Sequence, residues 1–312
     1  IVGGIDGSNT RGYAMLLGQL GVSMVVDDYS QMDYNYDFLH RDPGWPQLIT
    51  RILEQTHSAT YDVDVDLAQD ARASILNELR AILGKVNSRK DQKHSPSSQQ
   101  FYGSDKYVAS TSSKTSFGFK APITMLLLPF FAKLNSNIRF VLVVRDGRDI
   151  AFSKNQSPVE KYYDTYFDTG RPQRRKEARQ DNDSPHIKAM RLWNDWNAKV
   201  HKHLLSSSMD FLVVRAEDLI EDPYATILKL AHFVGSSLNR HELCQLSETT
   251  RKATKQIQSG YGKWKEPLGR NADLSSSIHQ IGSESLELFG YYPPRRFMDV
   301  EYASSGYTCE AD

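Results

Sequence analysis

The chain has 312 residues, 39% of them hydrophobic, enough for one large α/β domain or two small ones. Lys plus Arg and Asp plus Glu both total 38, so the formal net charge is zero. That balance argues against a global partner such as nucleic acid or an anionic membrane, and any anion site must be built locally. The cysteines, Cys244 and Cys309, are too few for a disulfide framework and stand in no metal-ligand spacing. One disulfide and two unpaired thiols both stay open. No stretch approaches the ~18–20 apolar residues of a membrane span, and no signal peptide is evident. The chain opens on Ile1-Val2-Gly3-Gly4-Ile5, already a core strand, so a further N-terminal segment is expected ahead of it.

In chain order, Ile1–Ile5 reads as a strand and Gly7-Ser8-Asn9-Thr10 as a turn and helix start. A helix carrying Tyr13, Leu16, Leu17 and Leu20 follows, and then a second strand over Val22–Val26. This is the βαβ opening of a parallel sheet. Trp45–Leu53 and Leu67–Leu83 are predicted helices, the second with Leu67, Ala71, Ile75, Leu79 and Ile82 on one face. Residues 85–115 are polar and nearly free of aliphatics, which predicts an irregular insertion. Ser116–Lys120 is a strand, Ile123–Leu134 a helix, Arg139–Arg145 the clearest buried strand, and Gly147–Ser153 a helix. The segment from Pro158 to Pro185 is polar, with a basic cluster. A helix over Ile187–Leu205 holds Trp193 and Trp196 in the core, Phe211–Arg215 is a strand, and Pro223–Val234 is an amphipathic helix. A loop over Gln256–Gly269 precedes a helix reaching Phe289 and a Pro-rich end. The alternation predicts a doubly wound parallel α/β sheet with ligands at the carboxyl ends of its strands.

Two motifs carry chemistry. In Gly3-Gly4-Ile5-Asp6-Gly7-Ser8-Asn9-Thr10-Arg11 a strand enters a small-residue loop and a helix leaves it. Backbone N–H groups at such a helix start favour an anion, with Ser8 and Thr10 as hydroxyl donors and Arg11 as a charge. The loop lacks the Lys of a Walker A sequence. The structural alternative is a plain turn with Ser8 or Asn9 as helix cap. In the second motif, Arg145 ends the central strand and Ser153 returns two helical turns later, so the pair could clamp one phosphate. The alternative there is an ion-pair turn, Arg145–Asp149 or Arg148–Asp149.

Taken together these motifs resemble the sulfotransferase family that uses 3′-phosphoadenosine 5′-phosphosulfate. Three further segments match in order: Phe119-Lys120-Ala121-Pro122, Val214-Arg215-Ala216-Glu217-Asp218-Leu219-Ile220-Glu221-Asp222-Pro223, and Gly260-Tyr261-Gly262-Lys263-Trp264. The nearest resemblance is to the tyrosylprotein sulfotransferases of the Golgi. It extends to Leu288-Phe289-Gly290-Tyr291-Tyr292-Pro293. One departure stands out. Where those enzymes have Arg-Ser-Gly-Thr in the first loop, this chain has Gly7-Ser8-Asn9-Thr10, with Arg11 after it. Either the catalytic Arg is relocated or Lys120 acts alone.

The resemblance implies a P-loop-like sulfotransferase fold over residues 1–294, with 295–312 a C-terminal tail. It implies in-line transfer of a sulfuryl group from the phosphosulfate donor to an acceptor hydroxyl on a protein tyrosine, a glycan or a small molecule. Adenosine 3′,5′-bisphosphate would be the product, and no metal is needed. Gly7, Ser8, Asn9, Thr10 and Arg11 would hold the phosphosulfate, Arg145 and Ser153 the 3′-phosphate, and Gly262, Lys263 and Trp264 would close over the nucleotide. Lys120 and Arg11 would stabilise developing charge. The related enzymes place their base just after the second strand, a position held here by Asp28, with Asp27 the neighbouring candidate and a His the remaining one. Arg171, Arg174, Arg175, Lys176 and Arg179 suit either an acidic acceptor or a solvated loop. A Golgi location follows if a segment precedes Ile1, and a cytoplasmic one otherwise; a homodimer stays open. The competing readings are a P-loop kinase and an inactive nucleotide-binding relative.

Overall fold

The central strand shows why the chain folds as it does. Arg139–Val144 alternates two buried sets. Phe140, Leu142 and Val144 enter one apolar cluster, and Val141 and Val143 enter another on the opposite face. A strand apolar on both faces needs helices on both, which is the condition for a parallel sheet. The computed structural model describes residues 1–24, 44–55, 68–88, 116–134, 137–168, 183–257 and 260–292.

The strands are β1 (Val2–Gly3), β2 (Ser23–Met24), β3 (Phe117–Gly118), β4 (Arg139–Val144) and β5 (Asp210–Arg215). β1, β4 and β5 form a parallel sheet in that order, and β2 pairs in parallel with β3. A parallel bridge between Val2 and Lys120 joins the two pieces in the order β2-β3-β1-β4-β5, with β4 between β1 and β5.

The first helix, α1 (Thr10–Gln19), packs Tyr13, Leu16 and Leu17 on one face of the sheet. The next helices are α2 (Gly44–Gln55), α3 (Gln69–Ser88), a 3-10 turn over Pro122–Leu127, and α4 (Leu128–Leu134). Helix α3 buries Ile75 and Leu79 as its periodicity predicts. It also takes in residues 85–88, which composition assigns to the insertion. There helix propagation wins over local polarity, because one more turn adds hydrogen bonds at little entropic cost. Pro122 starts the 3-10 turn, since proline lacks an N–H and fits a first helical position.

After β4 come α5 (Gly147–Ala151), α6 (Ser157–Asp168) and α7 (Pro185–Ser206). Helix α6 was not visible in composition: its polar residues face out, while Tyr163 and Tyr166 are buried against the core. Helix α7 is capped by Ser184, whose hydroxyl accepts from the Ile187 N–H, with Pro185 next. It carries the buried Trp193 and Trp196. Beyond β5 lie α8 (Asp218–Glu221), α9 (Pro223–Val234), α10 (Arg240–Ile257), α11 (Lys265–Arg270) and α12 (Ala272–Leu288). Helix α10 is a second element missed in the sequence, and α11 occupies part of the expected loop. Helix α9 starts at an Asp222 side chain accepting from the Ala225 N–H and ends at Gly235 in the left-handed region, φ 70°.

No described helix is long and apolar enough to cross a membrane. Cys244 on α10 is disulfide-bonded, which decides between the two cysteine readings; Cys309 lies outside the described residues. So do Asp27, Asp28, the basic cluster from Arg171 to Arg179 and the C-terminal tail.

Candidate active site

The first loop leaves β1 through backbone conformations that side chains disfavour. Gly7 has φ 93°, and a Cβ on Gly4 would stand 2.3 Å from the Val143 carbonyl oxygen. The loop therefore lies directly against the end of β4. Asn9 occupies the helix-cap position at φ 62° without a side-chain capping bond, so the simple cap reading fails. The first-turn N–H groups of a helix have no partner within the helix itself. Ser8 is fully buried, and among the described residues its hydroxyl has no hydrogen-bond partner. An unmade bond at a buried hydroxyl costs roughly 1–3 kcal/mol, which an anion acceptor seated in the loop would offset. Thr10 is buried beside it, and Arg11 is exposed on the first turn of α1.

Lys120 is brought to this loop by the sheet. It bridges Val2 in parallel, and its neighbours lock the two segments together: the Val2 N–H donates to Phe119, the Ala121 N–H to Val2 and the Gly4 N–H to Pro122. Lys120 is buried, at 4% exposure, at the carboxyl end of its strand.

Arg145 ties three segments together. One guanidinium nitrogen donates to the Gly7 carbonyl at 3.0 Å and the other to the Gly260 carbonyl at 2.6 Å. Its planar group lies over the Tyr261 ring, 4.6 Å from the centroid. Its Nε is buried with no partner among the described residues. From below, the Trp193 indole N–H donates to the Arg145 carbonyl at 2.9 Å. That indole packs so closely under the turn that a Cβ on Gly147 would lie 2.4 Å from it.

The Gly260–Trp264 loop is held by Asp149, whose two oxygens accept from the N–H groups of Gly262 and Lys263, both at 2.9 Å. Burial pushes the Asp149 carboxyl above its ordinary range, against the lowering effect of the Gly262 bond and of Arg145. Of the expected ion pairs, Arg145–Asp149 forms at 3.8 Å, whereas Arg148 pairs with Asp146 at 2.8 Å instead of with Asp149. The reason is that Asp149 is already committed to the loop. Trp264 stacks on the Arg148 guanidinium at 3.9 Å, and Lys263 is exposed. Ser153, half-buried past the end of α5, accepts from the Asn155 N–H at 3.2 Å.

The structure thus gathers the first loop, Lys120, Arg145 and the Gly262–Trp264 loop at the carboxyl ends of β1, β3 and β4. Sequence reasoning missed Asp149, Trp193, Tyr261 and Tyr291. Only the repeated aromatic residues in the two C-terminal motifs hinted at the last two.

A parallel sheet with a glycine-rich strand–helix loop, a buried orphan hydroxyl and an arginine at the next strand end defines an α/β protein built to hold an anionic ligand. A scan against protein-family models matches the sulfotransferase domain over residues 71–266, and the chain belongs to the sulfotransferase family. Membership makes it an enzyme of the sulfate-transferring class. The matched span includes Lys120, Arg145, Ser153 and Lys263; the first loop precedes it. A comparison with curated proteins gave no match.

Proposed function

We propose that the chain moves a sulfuryl group from 3′-phosphoadenosine 5′-phosphosulfate to an acceptor hydroxyl, within one domain spanning residues 1–294. The observation that carries this reading is Arg145, which spans the first loop at Gly7 and the C-terminal loop at Gly260. A nucleotide with a phosphosulfate at one end and a 3′-phosphate at the other is a ligand that would need both loops.

In this reading the backbone of Gly7–Thr10, the Ser8 and Thr10 hydroxyls and Arg11 meet the phosphosulfate. Arg145 and Ser153 take the 3′-phosphate, and Gly262, Lys263 and Trp264 cover the nucleotide. Lys120, with Arg11, stabilises charge growing on the bridging oxygen as the sulfur–oxygen bond to the donor breaks and that to the acceptor forms. Asp28 takes the acceptor proton. Lys, Arg and backbone N–H groups meet the donor's charge, so turnover should survive EDTA. The disulfide at Cys244 supports an oxidising compartment such as the secretory lumen.

Calorimetry with adenosine 3′,5′-bisphosphate and AMP tests the donor assignment. The bisphosphate should bind about ten- to a hundredfold tighter, the worth of one charge-assisted phosphate contact at roughly 1.5–3 kcal/mol. Equal affinities would overturn it.

A further inference from the structure

The turn Arg215-Ala216-Glu217, at the end of β5, receives contacts from α1, from the end of β4, from the Gly260–Trp264 loop and from Tyr291. The Tyr13 hydroxyl of α1 donates to the Arg215 carbonyl at 2.6 Å. The Ala216 N–H donates to the Val144 carbonyl at 2.7 Å, and the Tyr261 hydroxyl reaches the Ala216 carbonyl at 3.5 Å. The Glu217 carboxylate accepts from the Asp146 N–H at 3.1 Å and from the Tyr291 hydroxyl at 2.7 Å. Glu217 therefore grips the peptide that joins Arg145 to Asp146, and so the root of the arginine that spans both loops.

As a residue Glu217 is half-buried, but its carboxylate is shielded. Desolvation is the largest influence on it and pushes its pKa up to about 7, against the hydrogen bonds it accepts. Asp146 from the end of β4 repels it, and Tyr13, Tyr261 and Tyr291 face it from α1, the C-terminal loop and the chain after α12. On its own turn Asp218 is another carboxylate, and Arg215 is engaged by Asp218 at 2.8 Å and Glu221 at 3.0 Å. A shielded carboxylate under a site for a multiply charged anion is in conflict with that anion as soon as it arrives. A proton from the buffer resolves the conflict. The neutral carboxyl keeps a carbonyl oxygen for the Asp146 N–H and has an O–H for the Tyr291 oxygen, so the brace survives while its charge is lost.

We propose that Glu217 is a positioning residue for Arg145 that takes up a proton when the anionic donor nucleotide binds. This rests on the donor reading above. The consequence is that donor affinity strengthens as pH falls through the range where free Glu217 titrates, and that binding draws protons from solution.

The test is calorimetry of adenosine 3′,5′-bisphosphate binding at pH 7.5 in phosphate and Tris buffers, whose ionisation enthalpies differ. For the parent protein the binding heat should change between buffers by an amount reporting net proton uptake. In Glu217→Gln, which keeps the shape of the brace, the uptake should fall by a substantial fraction of a proton per site, and Kd should lose most of its slope between pH 6.5 and 8. Proton exchange by the ligand's own phosphates is common to both proteins and cancels in the comparison. Tyr291→Phe removes one bond that favours the charged form, so its maximum uptake should move to higher pH. Uptake in Glu217→Gln equal to that of the parent overturns the proposal while leaving the donor reading intact. No binding heat from the parent in either buffer overturns the donor reading, and this proposal with it.

Discussion

Arg145 and Gly7, 138 positions apart in the chain, meet through a 3.0 Å hydrogen bond from the guanidinium to the loop carbonyl. The contact makes the strand-end arginine part of the first loop's wall. Because the same side chain reaches Gly260, one residue couples the two ends of the proposed donor site.

Arg145→Ala should remove the 3′-phosphate contact. Affinity for adenosine 3′,5′-bisphosphate should fall at least ten- to a hundredfold, the loss of a contact worth roughly 1.5–3 kcal/mol. Binding of AMP, already without the 3′-phosphate, should weaken much less. Arg145→Lys should recover only part of the loss, since a lysine cannot span two carbonyls. Calorimetric titration of both ligands measures each effect.

Asp149→Asn tests the C-terminal loop. An amide can accept from only one of the Gly262 and Lys263 N–H groups, and its NH2 then faces the other. One charged-acceptor bond is worth roughly 1.5–3 kcal/mol. Donor-nucleotide affinity should drop about tenfold, and limited proteolysis should show faster cleavage near Gly260, with bound nucleotide slowing it.

Asp28→Asn tests which carboxylate is the base. With the base removed, kcat should fall by ~10²–10⁴ while nucleotide affinity stays near that of the parent. Asp27→Asn is the matched comparison. If that variant loses turnover and Asp28→Asn keeps it, the base is Asp27. If neither loses it, the base lies elsewhere in the chain.

The acid–base behaviour of Glu217 also leaves a mark on stability. Its folded-state pKa is raised from 4.5 to about 7, so the folded chain holds that proton more tightly than the unfolded chain. The stabilisation is complete below pH 4.5 and is lost as pH rises through 7. Glu217→Gln should remove this component. The Tm difference, variant minus parent, should grow in the variant's favour between pH 5 and pH 8, measured by calorimetric or fluorescence melting.

Gly147→Ala should destabilise the fold by roughly 1–3 kcal/mol, because the new methyl would overpack the Trp193 ring at 2.4 Å. For a chain of this size that lowers Tm by about 2–4 °C per kcal/mol. Since Trp193 also holds the Arg145 carbonyl, nucleotide affinity should fall as well, which a remote destabilising change would not do.

What the sequence determined by itself was whatever is encoded locally. The two-sided apolar run at β4, the βα opening, Pro223–Val234 with its cap and Gly235, and the residues of the first loop all announce themselves within a dozen positions, because periodicity, capping and glycine use are short-range properties. Elements whose stabilisation is tertiary stayed hidden. Helices α6 and α10 are polar on the side a sequence reader sees first and are held by a few buried residues, such as Tyr166 and Leu243. The site divides in the same way. Lys120, Arg145 and the two loops were legible as residue types at strand ends, but Arg11 is exposed rather than enclosed. The partners that give those groups their chemistry were not legible: Asp149 under Gly262, Trp193 under Arg145, Tyr291 on Glu217. These pairs are separated by 113, 48 and 74 positions. Only the closing of a parallel sheet, which brings the carboxyl ends of distant strands together, sets a buried carboxylate beneath an anion site and decides how tightly it keeps its proton.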